Sequence, residues 1–205
     1  MTTVGGRPKR QGGMAQTAGL RRLISAAMEL EHGAMHLYCK FESQCDRSEQ
    51  LRSFWFDMAQ HESRHFGALA LVAGLLASAP QSNLQVVTPL TPTRVQHLRR
   101  LLNRFHKEAD QGVSTERAFE IALELEGSEI EDVVLDLLRA LKGEAERERA
   151  MKLLIHDLGD LGYMIEKHTS NRELLARADA LLERQVERLH PRQTNARPRR
   201  RAVKG

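Results

Sequence analysis

The chain has little of what disulfide scaffolds or β-sheets require. Its 205 residues include two cysteines, Cys39 and Cys45, which excludes a disulfide framework and any metal site built from four cysteines. Aromatic residues make up 4% of the chain, and no proline occurs between residues 93 and 190. Because strands favour aromatic and β-branched residues, whereas Leu, Ala, Glu and Arg dominate here, the composition predicts an all-helical core.

Long apolar runs and targeting signals are also missing. The longest apolar run, residues 66–79, has about fourteen residues, fewer than the roughly 20 that cross a bilayer. The first 19 residues contain no apolar stretch typical of a secretory signal. We therefore expect a cytoplasmic protein in a reducing compartment, with no membrane partner.

Positive charge is concentrated at the two ends of the chain, although the net charge is only +4. Residues 191–205 contain five arginines, one lysine and no acid, and three more basic residues lie within residues 7–10. Since neither end has an apolar periodicity, we expect residues 1–17 and 191–205 to be disordered basic arms. Clustered arginines of this kind suit nucleic-acid phosphates, so nucleic acid is a possible partner of the tail.

Apolar residues repeat at helical spacing through the rest of the chain. The pattern predicts helices over residues 18–43, 48–77, 93–108, 114–141, 144–167 and 170–189. Ser114 or Thr115 can cap the fourth of these helices, and Ser170 is the predicted cap of the last. The first two and the fourth and fifth should form antiparallel hairpins, with 93–108 inside a long crossover. The predicted domains are a four-helix bundle over residues 18–168 and an additional C-terminal helix over 169–190.

Two acids and a histidine interrupt the apolar seams of the first hairpin. Glu31 lies between Ala27 and Ala34, while Glu62 and His65 share one helix face because they are three residues apart. Glu31 precedes the turn by about as many residues as Glu62 follows it, so the two should meet. A buried carboxylate is costly unless it is protonated, paired or bound to a cation. The pattern therefore predicts a metal site.

The second hairpin offers further acids. Glu126 and Asp157 lie at similar distances from the predicted turn at Lys142-Gly143, and Asp160 lies one helical turn beyond Asp157. Hard oxygen donors with one or two imidazoles suit iron, with manganese or zinc as alternatives. Iron with open coordination positions would activate oxygen or peroxide.

Three motifs resemble those of the ferritin-like superfamily, nearest its rubrerythrin branch, over residues 18–168: Glu31-x-x-Ala34-x-x-x-Tyr38, Glu62-x-x-His65 and Glu126-x-x-Glu129. The resemblance implies a di-iron carboxylate site in a four-helix bundle. In that family the matching positions bind the metal ions at which the reaction takes place. The resemblance therefore implies that Glu31, Glu62, His65 and Glu126 are metal ligands at the catalytic site. Glu129 would be an additional ligand.

The fourth bundle helix departs from the family's pattern. It carries Asp157-x-x-Asp160 where the family has Glu-x-x-His, while Glu146-x-x-Arg149 imitates the spacing but lies beside the turn. We assign Asp157 to the second metal position. A rubredoxin module needs four cysteines, so the resemblance favours Fe(II) oxidation by oxygen or hydrogen peroxide, in iron handling or peroxide defence, over the electron route of full-length rubrerythrins.

Two other interpretations of these residues are open. Residues 61–65 spell H-E-x-x-H, in which His61 and His65 would bind zinc and Glu62 would be a base. The apolar seam selects Glu62 and His65 instead, and no third-ligand motif follows. Alternatively, the polar pair is a remnant in a non-enzymatic adaptor with a degenerate metal site.

The N-terminal arm contains Thr3-Val4-Gly5 followed by basic residues, which resembles the short tags that send some ferritin-like proteins into encapsulin shells. The resemblance implies an encapsulin shell as partner and a place inside that compartment. We also expect a homo-oligomer. If the metal site is intact, the protein would be a ferroxidase or rubrerythrin-like oxidoreductase, and otherwise the basic tails would bind a shell or nucleic acid.

Overall fold

The computed structural model describes residues 9–45, 48–78, 91–128 and 143–190, with the backbone alone for 9–17, and the isolated positions 132, 135, 136 and 139. All regular structure in these residues is α-helical, which confirms the prediction of an all-α protein. The helices with continuous bounds are α1 (Lys9–Gln44), α2 (Glu49–Ser78), α3 (Pro92–Asp110), α4 (Thr115–Glu126), α5 (Glu144–His168) and α6 (Arg172–Leu189). None of them is long and apolar enough to cross a membrane.

Side-chain caps fix where three of the helices begin. The Thr91 hydroxyl accepts a hydrogen bond from the backbone of Arg94 and is followed by Pro92, which suits the first helical position. Ser114 caps α4 in the same way, as the sequence predicts. The predicted cap of the last helix, Ser170, is wrong by one residue, because Asn171 accepts the hydrogen bond from Leu174.

Two helix ends differ from the prediction by more than two residues. α1 begins at Lys9 rather than Ala18. Extending an existing helix costs far less than nucleating a new one, and here the helix continues even through Gly12 and Gly13. The predicted continuous helix from Ser114 to Leu141 is wrong at Gly127, where α4 ends. Glycine is a poor helix former, and the Gly127 N–H donates to the carbonyl of Leu123 as the last turn closes.

The first two helices form an antiparallel hairpin, as the sequence predicts. Near one end Arg52 pairs with Glu42 at 3.1 Å, and near the other the Arg21 guanidinium donates to the carbonyl of Leu76 at 2.9 Å. α3 runs parallel to α1 on its outer side, where His106 Nε2 lies 3.0 Å from the carbonyl oxygen of Gly33.

An aromatic cluster joins α1, α2 and α4. Trp55 is fully buried, stacks against Tyr38 at 5.9 Å between ring centroids and lies 5.3 Å from Phe119 on α4. α5 reaches α2 through an ion pair between Asp157 and His61, and α6 packs on α5. The interior therefore brings together side chains from both halves of the chain.

Candidate metal centre

Three ionisable side chains meet inside the α1–α2 hairpin. Glu31, Glu62 and His65 are 1%, 3% and 8% exposed, and their ligand atoms all lie within 4.8 Å of one another. The Nδ1 atom of His65 is 3.7 Å from Oε2 of both glutamates. The predicted meeting of Glu31 and Glu62 is confirmed.

The local sequence explains why these polar groups lie inside. Each interrupts an apolar seam, and their neighbours along that seam, Ala34 on α1 and Met58 and Leu69 on α2, are buried as well. Because the helices are antiparallel, residues that are equally far from the turn lie side by side on the two helices. The seam therefore directs both carboxylates and the imidazole toward one another and away from water.

The electrostatics of this trio favour a proton or a cation between the carboxylates. Burial, followed by the charge of Glu31, raises the pKa of Glu62 to about 7, against the opposing effect of His65. Two facing carboxylates in a dry interior repel each other unless one is neutral or a positive ion lies between them. The donor set of two carboxylate oxygens and one imidazole nitrogen fits a divalent first-row metal.

Glu126 reaches the interior from α4. It is 1% exposed, and its Oε1 accepts a 2.9 Å hydrogen bond from the hydroxyl of Tyr38, itself fully buried. Tyr38 follows Glu31 by two helical turns, so both project from the same side of α1. The sequence motif groups Tyr38 with Glu31, but it does not predict the hydrogen bond from Tyr38 to Glu126.

The other acids of this region divide by helix face. Glu120 and Glu124 form ion pairs with Arg117 on the outer face of α4, at 2.6 and 3.7 Å, which leaves Glu126 as the inward-facing acid of that helix. Glu129, the predicted additional ligand, lies outside the described residues.

Asp157 belongs to a second group, with His156 and Asp160, whose ligand atoms also lie within 4.8 Å of one another. Burial alone would raise the pKa of Asp157, but its hydrogen bond to His61 and the nearby charges outweigh that effect and lower the pKa. Its assignment to the second metal position stays a prediction.

His61 links the two groups and was missed in that role. It is 2% exposed, pairs through Nδ1 with Asp157, and its ring lies edge-on to that of His65, with centroids 4.1 Å apart. In the zinc-protease interpretation Glu62 would stand apart as a base. Here Glu62 is instead part of the donor group with His65.

Comparisons with protein-family models, with curated proteins and with solved structures gave no match to this chain. Function must therefore be argued from the side chains themselves.

Proposed function

We propose that this chain is a ferritin-like, iron-binding protein that oxidises Fe(II). The observation that carries the proposal is the buried trio of Glu31, Glu62 and His65, whose donors lie within 4.8 Å of one another. Such a group is expensive in a dry interior unless a proton or a cation compensates the two carboxylates, and a divalent cation can be held by all three side chains at once. Contacts from two further helices support the ferritin-like interpretation, because Glu126 on α4 bonds to Tyr38 on α1 and Asp157 on α5 pairs with His61 on α2.

The residues have distinct roles in this proposal. Glu31 and Glu62 hold the substrate ion from two helices, and His65 is a terminal nitrogen ligand. Glu126, fixed by the Tyr38 hydroxyl, is the candidate carboxylate for a second ion. Because Asp157 pairs with His61, we propose Glu126 without Asp157 for this second position, in place of the assignment predicted from the sequence.

The redox chemistry needs an acceptor from solution. Each Fe(II) gives up one electron, so a pair of ions reduces one oxygen molecule to hydrogen peroxide, or one hydrogen peroxide to two water molecules. Either reaction consumes two protons. Iron bound by carboxylates and imidazole with an open position reacts with either acceptor. Glu62, which binds a proton up to about pH 7, can release it when the ion enters.

Metal content and aerobic oxidation of Fe(II) test the proposal together. Metal-free protein is loaded with Fe(II) under nitrogen, the bound metal is counted, and air is then admitted while ferric absorbance is followed. His65→Ala should lose most of the fast absorbance rise, whereas His97→Ala, at an exposed position of α3, should behave as wild type. Less than about 0.2 metal per chain, with His65→Ala equal to wild type, would favour the non-enzymatic adaptor.

A further inference from the structure

The surface of α5 carries the second ligand group beside the buried trio. His156 Nδ1 lies 3.4 Å from Oδ2 of Asp160 and 3.6 Å from Oδ1 of Asp157, all on one side of the helix. The side chains of His156 and Asp160 are 73% and 60% exposed, while that of Asp157 is 21% exposed. The group therefore opens to solvent on one side and reaches the protein interior on the other.

The inner side of this group is a buried histidine from another helix. His61 on α2 is 2% exposed and forms an ion pair with Asp157. A buried imidazole beside a half-buried carboxylate is more than a solvated acidic face, because α2 places a second nitrogen-bearing ring against the cluster. Two carboxylates and an imidazole are a donor set typical of sites for first-row divalent cations.

A continuous series of contacts connects the surface group with the inner trio. Asp157 pairs with His61, whose ring lies 4.1 Å from that of His65, and His65 Nδ1 lies 3.7 Å from Glu31 and from Glu62. Each step joins groups that bind either protons or divalent cations. The outer and inner groups are therefore neighbours along one polar path through an otherwise apolar bundle.

We propose that His156, Asp157 and Asp160 form an outer divalent-cation site that captures ions at the surface and supplies them, past His61, to the buried trio. The supply role rests on the proposed function, whereas cation binding at the outer site does not. A negatively charged surface group raises the local concentration of cations, so its effect should be largest when the metal is scarce.

Mn(II) binding to the metal-free full-length chain tests the outer site directly. Isothermal titration calorimetry with Mn(II) is run on wild type, Asp160→Asn and the control Asp179→Asn, an identical change at an exposed position of α6. Asp160→Asn should weaken one class of Mn(II) site by about tenfold or more, and the control should leave both classes unchanged. In His65→Ala the outer class should persist while the inner class is lost. Equal titrations of wild type and Asp160→Asn, or no Mn(II) binding by wild type, would overturn the proposal.

Fe(II) oxidation tests the supply role. With Fe(II) below one equivalent per chain, Asp160→Asn should slow the initial rate about fivefold or more, and saturating Fe(II) should restore the wild-type rate. His156→Ala should act in the same direction. If variants that no longer bind Mn(II) at the outer site oxidise Fe(II) at the wild-type rate, the supply role is overturned. If wild type oxidises no Fe(II), the proposed function and the supply role fail together, but the Mn(II) titration still decides the outer site.

Discussion

The hydroxyl of Tyr38 donates a hydrogen bond of 2.9 Å to Oε1 of Glu126, joining two residues that are 88 positions apart in the chain. Both side chains are almost completely buried, so water cannot replace either partner. The contact holds the carboxylate of α4 against the α1–α2 hairpin, beside the packed rings of Trp55 and Phe119. The hydrogen bond therefore links the two halves of the chain and also fixes the position of the Glu126 carboxylate.

Removing this hydroxyl should destabilise the fold. Tyr38→Phe keeps the aromatic packing but leaves a buried carboxylate with one hydrogen bond fewer, which should lower the free energy of unfolding by about 1.5–3 kcal/mol. Urea denaturation followed by the fluorescence of Trp55, the single tryptophan, measures the change. Tyr163→Phe is the matched control, since that ring is 54% exposed and should shift stability by less than about 0.5 kcal/mol. Equal stabilities of the two variants would show that the hydrogen bond does not secure Glu126.

Contacts between residues of one hairpin could be predicted from the sequence, whereas contacts between distant segments could not. Glu31, Glu62 and His65 lie in one hairpin with a short turn, so helical phase and distance from the turn were enough to bring them together. The pairs Tyr38–Glu126 and His61–Asp157 join distant segments, and which acid meets which partner depends on how the second half of the chain packs. No periodicity within one helix contains that information.

In the fold, too, the sequence predicts local features better than the points where a helix stops or is extended. Apolar periodicity predicts the helices and caps such as Ser114, because these are local properties. It does not predict the break at Gly127, where an isolated glycine in a helical pattern can be tolerated or can end the helix. Nor does it predict the extension of α1 to Lys9, since residues without an apolar stripe can still continue an existing helix.

Close packing of α3 on α1 should make Gly33 intolerant of substitution. A Cβ at this position would overlap with Cδ2 of Leu102, so Gly33→Ala forces that buried side chain to move. After the helix preference of alanine is counted, the net cost should be about 1 kcal/mol of unfolding free energy. Gly74→Ala is the control, because nothing lies within 4 Å of its added Cβ and alanine favours helix by about 0.5–1 kcal/mol. Opposite signs in thermal denaturation are expected. If both variants were stabilised, α3 would not pack closely enough on α1 at Gly33 to exclude a Cβ.

The contribution of Glu62 to the stability of the metal-free protein should fall as the pH rises. Glu62 has a pKa of about 7 in the fold against 4.5 as its ordinary value, so between these values the folded state binds more protons than the unfolded state. Stability contributed by this residue is therefore complete below about pH 4.5, falls as the pH rises, and levels off above about 7, by roughly 3 kcal/mol at most.

Denaturation in the presence of a chelator at pH 5, 6, 7 and 8 measures this slope. Glu62→Gln cannot ionise and should flatten the profile, whereas Glu183→Gln, at an exposed position of α6, should keep the wild-type slope. A wild-type profile as flat as that of Glu62→Gln would mean that Glu62 ionises in the fold as readily as in water.

A bound divalent cation should oppose that pH dependence. The ion binds the ionised form of Glu62, so binding displaces a proton and tightens as the pH rises toward 8. With Mn(II) fixed at about 100 times its dissociation constant at pH 8, binding adds about 2.7 kcal/mol to the free energy of unfolding at that pH. At pH 5 the same concentration is a smaller multiple of the dissociation constant, so the gain is smaller. The gain should therefore be larger at pH 8 than at pH 5 in thermal denaturation. Glu31→Gln should lose most of the pH-dependent part, while Glu29→Gln, two residues away on the exposed side of α1, should retain it. A Mn(II) gain that is the same at both pH values, or that survives in Glu31→Gln, would place the cation somewhere other than between these carboxylates.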